Sequence, residues 1–424
     1  MRNKRLLSGL VQALLAVMPV MLAMSCVPEY DTEDRLPGRT VLVYMAADNN
    51  LQNIVSPNLS SMSHSIQSIP GRYNLIAFVD RKNENPCMLH VHGNRIDTLK
   101  VFNELMSSDS NTLADAIEYV RTNWKAETYG LVLWSHGTGW IPTSMLHSVA
   151  QNLGYVQGRD TQAQAQADML GGYLSGDEAE TRSFVIEDRS HGNPRYTAME
   201  IQDMAAAIPD GMFDYIVFDA CYMGCVEVMY ELRNKADYII SSPCEIVSQG
   251  FPYSAVTKDL MYGNLTSVCR NFYRYYNSQS SWRMGAISLV RTEGLDSLAR
   301  CFQKVSACRT RPVYKSQVRG IQHFDRFNFF GTENRVFYDL ADVAEFLCDD
   351  PVILDEFNSQ LDRCVLYAST TPYMFPGYND EFPMNRFSGL SVFIPLQEYD
   401  MTGLNDEYRN TGWSHAADYY SKEY

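Results

Sequence analysis

The chain repeats one pattern: a short, unbroken apolar run rich in β-branched and aromatic residues, then a longer amphipathic or polar stretch. TVLVYMAAD at 40–48, YNLIAFVDR at 73–81, YGLVLWSHGTGW at 129–140, YIVFDAC at 215–221, ADYIISSPCE at 236–245, MGAISLVRT at 284–292 and GLSVFIP at 389–395 carry such runs. A strand with one wet face alternates polar and apolar residues; an unbroken run is buried on both faces, as strands of parallel sheets are. Parallel neighbours need crossovers, which helices supply. SDSNTLADAIEYVRTNW, 108–124, is such a helix, with Ser, Asp and Asn at its start and Leu113, Ile117, Val120 and Trp124 on one face. NNLQNIVSPNLSSMSHSIQ, after the first run, is helix-like, and MLHVHG with RIDTLKVF reads as a hairpin. The expected fold class is α/β: a mostly parallel central sheet with helices on both faces. Sites in such sheets form at the carboxyl ends of strands. Two runs end there in reactive residues, SHG at 135–137 and DAC at 219–221.

With 424 residues and 46% apolar composition, the chain has enough material for one large domain or two smaller ones. The helix-rich C-terminal part, 296–424, contains YDLADVAEFL and EFNSQLDRCVLYA before GLSVFIP returns. That late run is expected to rejoin the sheet, so 38–424 is read as a single domain. Residues 141–183, including QGRDTQAQAQADMLGGYLSGDEAETR, lack periodicity and read as a surface insertion. The formal net charge of −15 argues against a phosphate-backbone binder and an anionic-lipid surface binder. No nucleic acid partner is expected.

Residues 1–25 combine the basic MRNKR with the apolar LLSGLVQALLAVMPVMLAM, the pattern of an export signal. Ser25-Cys26 looks like a lipoprotein lipobox, with Met24 in place of the usual small residue. Cys26 is the expected lipidation site and 26–37 a polar tether. Localisation is then exported, anchored in the bacterial cell envelope or secreted, with the lipid as the only membrane contact. The cysteines are irregularly spaced and sit mostly in apolar settings, so they read mainly as buried thiols rather than a disulfide framework.

Cys221 is either a small buried hydrophobe or a nucleophile. A thiol at a strand-to-helix junction gains thiolate character from the helix N-terminus, and YMGCVEVMYEL after Cys221 reads as that helix. His136, at another strand end, is the candidate base. Gly137 leaves its N–H open to a carbonyl oxygen.

These residues carry a resemblance. TVLVYMAADNNLQ, LVLWSHGTGW, VFDACYMGCVEVMYEL, ADYIISSPCEIVSQGFPY and SGLSVFIP are similar, in order over most of 40–395, to the clostripain family of cysteine peptidases, family C11 of the caspase-like clan, to which gingipains and legumains also belong. The resemblance implies a caspase-like three-layer sandwich and a Cys/His dyad acting on a peptide or protein substrate. His136 is then the base, Cys221 the nucleophile, and the backbone N–H groups of Gly137 and Cys221 the oxyanion donors. Asp219 shares a strand face with Cys221 and is the candidate lining of the P1 pocket. Many relatives place an acid just before the Gly-x-Pro-Tyr stretch; here the residue is Gln249, with Glu245 four positions earlier. Cleavage after Arg or Lys and a neutral P1 preference therefore both stay open. So does a surface-binding module of little activity. The segment between His136 and Cys221, which are 85 positions apart, holds Arg159, Arg182 and Arg189 as candidate self-cleavage sites. Cys225 reads as core packing, His90 and His92 as a surface pair, and Ser242 and Cys244 as neighbours of the pocket strand. No metal site or cofactor is assigned; the acidic Gly176-Asp177-Glu178 stretch lacks an EF-hand loop. A monomer is expected.

Overall fold

The unbroken runs become neighbouring strands. β1 (Arg39–Ala47), β2 (Tyr73–Arg81), β3 (Cys87–His92), β4 (Arg95–Val101), β5 (Thr128–Trp134), β6 (Phe213–Asp219), β7 (Ala236–Ser241) and β8 (Ala286–Arg291) lie in one sheet with a later strand, β10 (Val365–Thr370). The order is β10-β8-β7-β6-β5-β1-β2-β3-β4. β2, β1, β5, β6 and β7 form a parallel core. β3 and β4 extend it antiparallel at one edge, as the predicted hairpin, and β8 and β10 at the other. This computed structural model describes residues 36–420 except 70–71, 104, 143–144, 146–197, 326–334 and 379–380. The described residues from Pro37 onward form one compact unit. The 1–25 leader, Cys26, nearly all of the tether, and the insertion beyond Met145 with Arg159, Arg182 and Arg189 lie outside the described residues. Among the described residues, no helix is long and apolar enough to cross a membrane.

Strand pleating sends alternate side chains to opposite faces, and β1 shows which helices lie on each. Thr40 Oγ1 donates to the Trp124 carbonyl at 2.9 Å, and Tyr44 Oη to the Ser107 carbonyl at 2.9 Å, at the two ends of α2 (Ser110–Asn123). Arg39 points the other way and donates to the Met261 carbonyl at 3.2 Å, within α5 (Tyr253–Tyr262). α1 (Gln52–Ser65) and α6 (Leu265–Asn277) pack with α5; α3 (Ile201–Ala207) and α4 (Val226–Glu231) continue the α2 layer. The sheet is therefore covered on both faces, and Leu131, Val132, Leu133 and Trp134 of β5 are buried. Truncating one such residue to Ala costs about 2–5 kcal/mol.

The chain runs from β1 to β2 on one side, and the next parallel strand, β5, lies on the other. The carboxyl ends of β1 and β5 are thus the topological switch point, where open α/β sheets place their sites.

Three expectations need correction. GLSVFIP does not rejoin the main sheet. Its β13 (Ser391–Val392) pairs with β9 (Tyr338–Asp339), and β10 takes the edge position. The run is apolar because it is buried beneath α4, where Ser391 N–H donates to the Gly224 carbonyl at 3.0 Å. A short apolar run reports burial, not sheet membership. Second, the helix drawn through EFNSQLDRCVLYA ends at Cys364: α9 (Pro351–Cys364) gives way to β10, whose pairing with β8 overrides local propensity. β11 (Tyr373–Met374) and β12 (Phe382–Pro383) follow as a small separate pair. Third, Cys308 and Cys348 form a disulfide between the ends of α7 (Leu295–Ala307) and α8 (Leu340–Leu347). Cys225, Cys244, Cys269, Cys301 and Cys364 are buried thiols outside any disulfide, as read.

Candidate active site at the strand ends

β5 and β6 run parallel in a register that pairs Trp134 with Asp219. The pairing continues past the strands: Ser135 N–H donates to the Asp219 carbonyl at 3.4 Å. Carried two residues past that pair, the register sets His136 level with Cys221. Gly137 is pressed against the same residue. A Cβ there would lie 2.2 Å from the Cys221 carbonyl oxygen and 3.0 Å from its nitrogen, so the close approach requires glycine. Ser135 Oγ donates to the Ala46 carbonyl at 2.8 Å, tying the end of β5 to that of β1. Just beyond β1, Asn50 Oδ1 lies 2.6 Å from His136 Nε2. With Oδ1 as the acceptor, Nε2 is the donor of that bond and Nδ1 the ring's basic nitrogen.

Cys221 is fully buried and His136 is 2% exposed. Ile246 N–H donates to Cys221 Sγ at 3.2 Å. The expected helix does not start at the thiol. Tyr222 N–H donates to the Cys244 carbonyl at 3.1 Å and Gly224 N–H to the Ser242 carbonyl at 2.8 Å, so residues after β6 keep pairing with residues after β7. α4 begins only at Val226, with Cys225 as its N-cap. The thiol is therefore met by the backbone of Ile246 rather than by a helix end: Sγ receives its N–H and donates to its carbonyl at 3.6 Å. Cys225 is buried in the core, as read, and burial pushes its thiol well up. Burial also pushes the Glu227 carboxyl up to about 7, against the opposing pull of the Phe393 N–H, which donates to Oε1 at 2.9 Å.

The three candidate pocket residues have different surroundings. Asp219 is fully buried; its Oδ2 accepts the Phe251 N–H at 3.2 Å and the Tyr253 hydroxyl at 2.8 Å, at the start of α5. Gln249 is exposed, beside Gly250 in the left-handed region at φ 71°. Glu245 is fully buried and accepts the Tyr222 hydroxyl at 2.6 Å. Ser242 Oγ accepts the Cys244 N–H at 3.1 Å, and burial pushes the Cys244 thiol well up, so this pair serves the turn. Among the described residues, no three His, Cys, Asp or Glu side chains are grouped to hold a metal ion. His90 and His92 stack at 4.3 Å, and His92 pairs with Asp97 at 2.6 Å.

Sequence reasoning passed over Asn50, Tyr222 and Ile246. Asn50 had a signal, because it follows a buried strand's carboxyl end. The other two act through contacts between distant segments, which no local pattern reports.

Comparison with known proteins bears on the family and the fold. The model of the clostripain family matches residues 43–166 and 171–346, more than half of the chain. A clostripain from Hathewaya histolytica is 23% identical over 257 residues, covering 54% of this chain and 43% of that protein, so the match spans less than half of the relative's length. An inactive zymogen of a C11 protease from Parabacteroides distasonis is 29% identical with a TM-score of 0.70, covering 90% of this chain and 98% of its own. A secreted C11 cysteine protease from Bacteroides thetaiotaomicron, solved with an irreversible peptide inhibitor, is 26% identical with a TM-score of 0.69, covering 90% and 99%. The fold is the caspase-like α/β sandwich of these proteases, and the chain belongs to the clostripain family.

Proposed function

We propose that this protein is an exported cysteine endopeptidase that cleaves through Cys221 and His136. The observation that carries the reading is the β5–β6 register, which sets the two residues at adjoining strand ends with Gly137 against the Cys221 backbone. The Cys221 thiolate attacks the scissile carbonyl carbon, forming a C–S bond. The oxyanion is received by the N–H groups of Gly137 and Cys221. His136 delivers the thiol's proton to the leaving amine as the C–N bond breaks, and water then releases the acyl group. Asp219 supplies negative charge to the P1 pocket and favours Arg or Lys, while Gln249 adds no second charge, so a neutral P1 preference is the competing outcome.

The intact chain is latent in this reading. Burial of both Cys221 and His136 supports it, as does likeness to a protein described as an inactive zymogen. Cleavage after Arg159, Arg182 or Arg189 releases the latency, and Cys26 carries the lipid that anchors a monomer to the envelope. On SDS gels, wild type then shows fragments that Cys221→Ala lacks; identical intact bands would count against self-cleavage. The activity is tested with fluorogenic peptides varied at P1, on intact protein and after limited tryptic cleavage. Turnover is expected in wild type, fastest after Arg or Lys, and absent in Cys221→Ala. No turnover at any P1 residue would sink the proposal.

A further inference from the structure

Tyr222, the residue after the thiol, has φ 58°. For a side chain other than Gly, the left-handed region costs about 1–2 kcal/mol, and such a conformation persists only where the surroundings enforce it. Three contacts do so here. The Tyr222 hydroxyl donates to Glu245 at 2.6 Å, its ring stacks on Phe337 with centroids 4.7 Å apart and planes 7° from parallel, and its N–H donates to the Cys244 carbonyl at 3.1 Å. Gly139, the second glycine of SHGTG, makes room for the stack. A Cβ there would lie 2.7 Å from the Phe337 ring and 3.1 Å from the Tyr222 carbonyl oxygen. The segment that holds Tyr222 also holds the thiol, since Ile246, next to Glu245, donates its N–H to Cys221 Sγ.

We infer that the Tyr222–Glu245 pair is a positioning device for Cys221, and that Glu245 serves the nucleophile's backbone rather than the P1 side chain. The inference rests on the peptidase reading above. A glycine at 222 would accept the same φ without strain, but it would lack the hydroxyl and the ring. The tyrosine converts a strained turn into a braced one, so the backbone on both sides of the Cys221–Tyr222 peptide is fixed before substrate arrives. Releasing the brace lets Tyr222 relax toward negative φ, which turns the peptide that follows the nucleophile. A misplacement of about 1 Å at a reacting group is enough to cost up to roughly a hundredfold in rate. The effect falls on kcat, because the P1 contacts are elsewhere.

The test uses the full chain, activated as for the P1 panel, in four forms: wild type, Tyr222→Phe, Glu245→Gln and Glu245→Ala, each checked for folding by thermal melt. Tyr222→Phe keeps the stack and loses the hydroxyl; Glu245→Gln keeps an acceptor oxygen; Glu245→Ala loses it. Expected is a fall in kcat of about tenfold or more for Tyr222→Phe and Glu245→Ala, with KM moving less than about twofold, and retention of most activity by Glu245→Gln. Should Tyr222→Phe not fold, the two Glu245 variants carry the same comparison. Tyr222→Phe and Glu245→Ala with wild-type kcat overturn the brace. So does a Glu245→Gln protein whose KM rises for Arg and Lys substrates alone, since that makes Glu245 a substrate contact. An inactive wild type overturns the peptidase reading, and the brace with it; an active wild type beside unaffected variants overturns the brace alone.

Discussion

Glu227 is a carboxyl at the first turn of α4, fully buried, six residues from the Cys221 thiol in sequence. Its Oε1 accepts the Phe393 N–H, which ties α4 to the buried 389–395 run. The ionisable groups that act on it or feel it are Cys225, Tyr408 and Tyr419, and burial pushes each of those up, so all stay neutral near pH 7. Glu227 itself titrates near 4.5 when exposed and at about 7 when folded. Because the folded pKa is the higher one, the folded state binds the extra proton. The associated stability is fully present below pH 4.5 and is lost as pH rises through 7. At about 1.4 kcal/mol per pH unit, the loss is on the order of 3 kcal/mol. Glu227→Gln keeps the oxygen that receives the Phe393 N–H and removes the charge. Urea unfolding at pH 4.5, 6 and 8 should show the variant close to wild type at the acid end and more stable by roughly 3 kcal/mol at pH 8. Asp325, also pushed up to about 7 by burial, adds a slope of the same sign to both proteins and cancels in the difference. A difference that stays constant across the three pH values would refute the assignment of a raised, buried carboxyl to Glu227.

Gly137→Ala should lower kcat/KM by about a hundredfold or more, measured on the best P1 substrate. Its methyl group would meet the Cys221 carbonyl oxygen at 2.2 Å, and relieving that clash moves the N–H proposed as an oxyanion donor. Cys308→Ser opens a bridge across a sequence separation of 40 and should cost about 2–4 kcal/mol, read as a lower urea midpoint that wild type reproduces in reductant. Equal midpoints in oxidised and reduced wild type would remove the disulfide from the account.

The parts of the site that the sequence made legible are those written locally. A strand buried on both faces leaves an unbroken apolar run, and such a run marks its own carboxyl end. His136 and Cys221 could therefore be placed at neighbouring ends before any coordinates, and Gly137 named with them. Contacts between distant segments were not legible. The start of α4 was set four residues too early because residues 222 and 224 are bonded to residues 244 and 242, a pairing that no helical periodicity reveals. GLSVFIP has a strand's composition and a strand's burial, yet only Ser391 and Val392 pair, with Asp339 and Tyr338, and Ser391 also bridges to Cys225. The pairing of Cys308 with Cys348 needed the positions of two helix ends. Glu245 stood out as an acid near the pocket, but its direction depends on the backbone of Tyr222, whose positive φ the sequence does not announce.

The central claim is that Cys221 is the nucleophile and His136 its base. The most direct measurement is covalent capture by a peptidyl acyloxymethyl ketone with Arg at P1, followed by peptide mapping, on activated wild type, Cys221→Ala and His136→Ala. The account predicts a single adduct, on Cys221 of wild type, none on Cys221→Ala, and a capture rate sharply reduced in His136→Ala. An adduct that persists in Cys221→Ala, or a capture rate untouched by loss of His136, would contradict it.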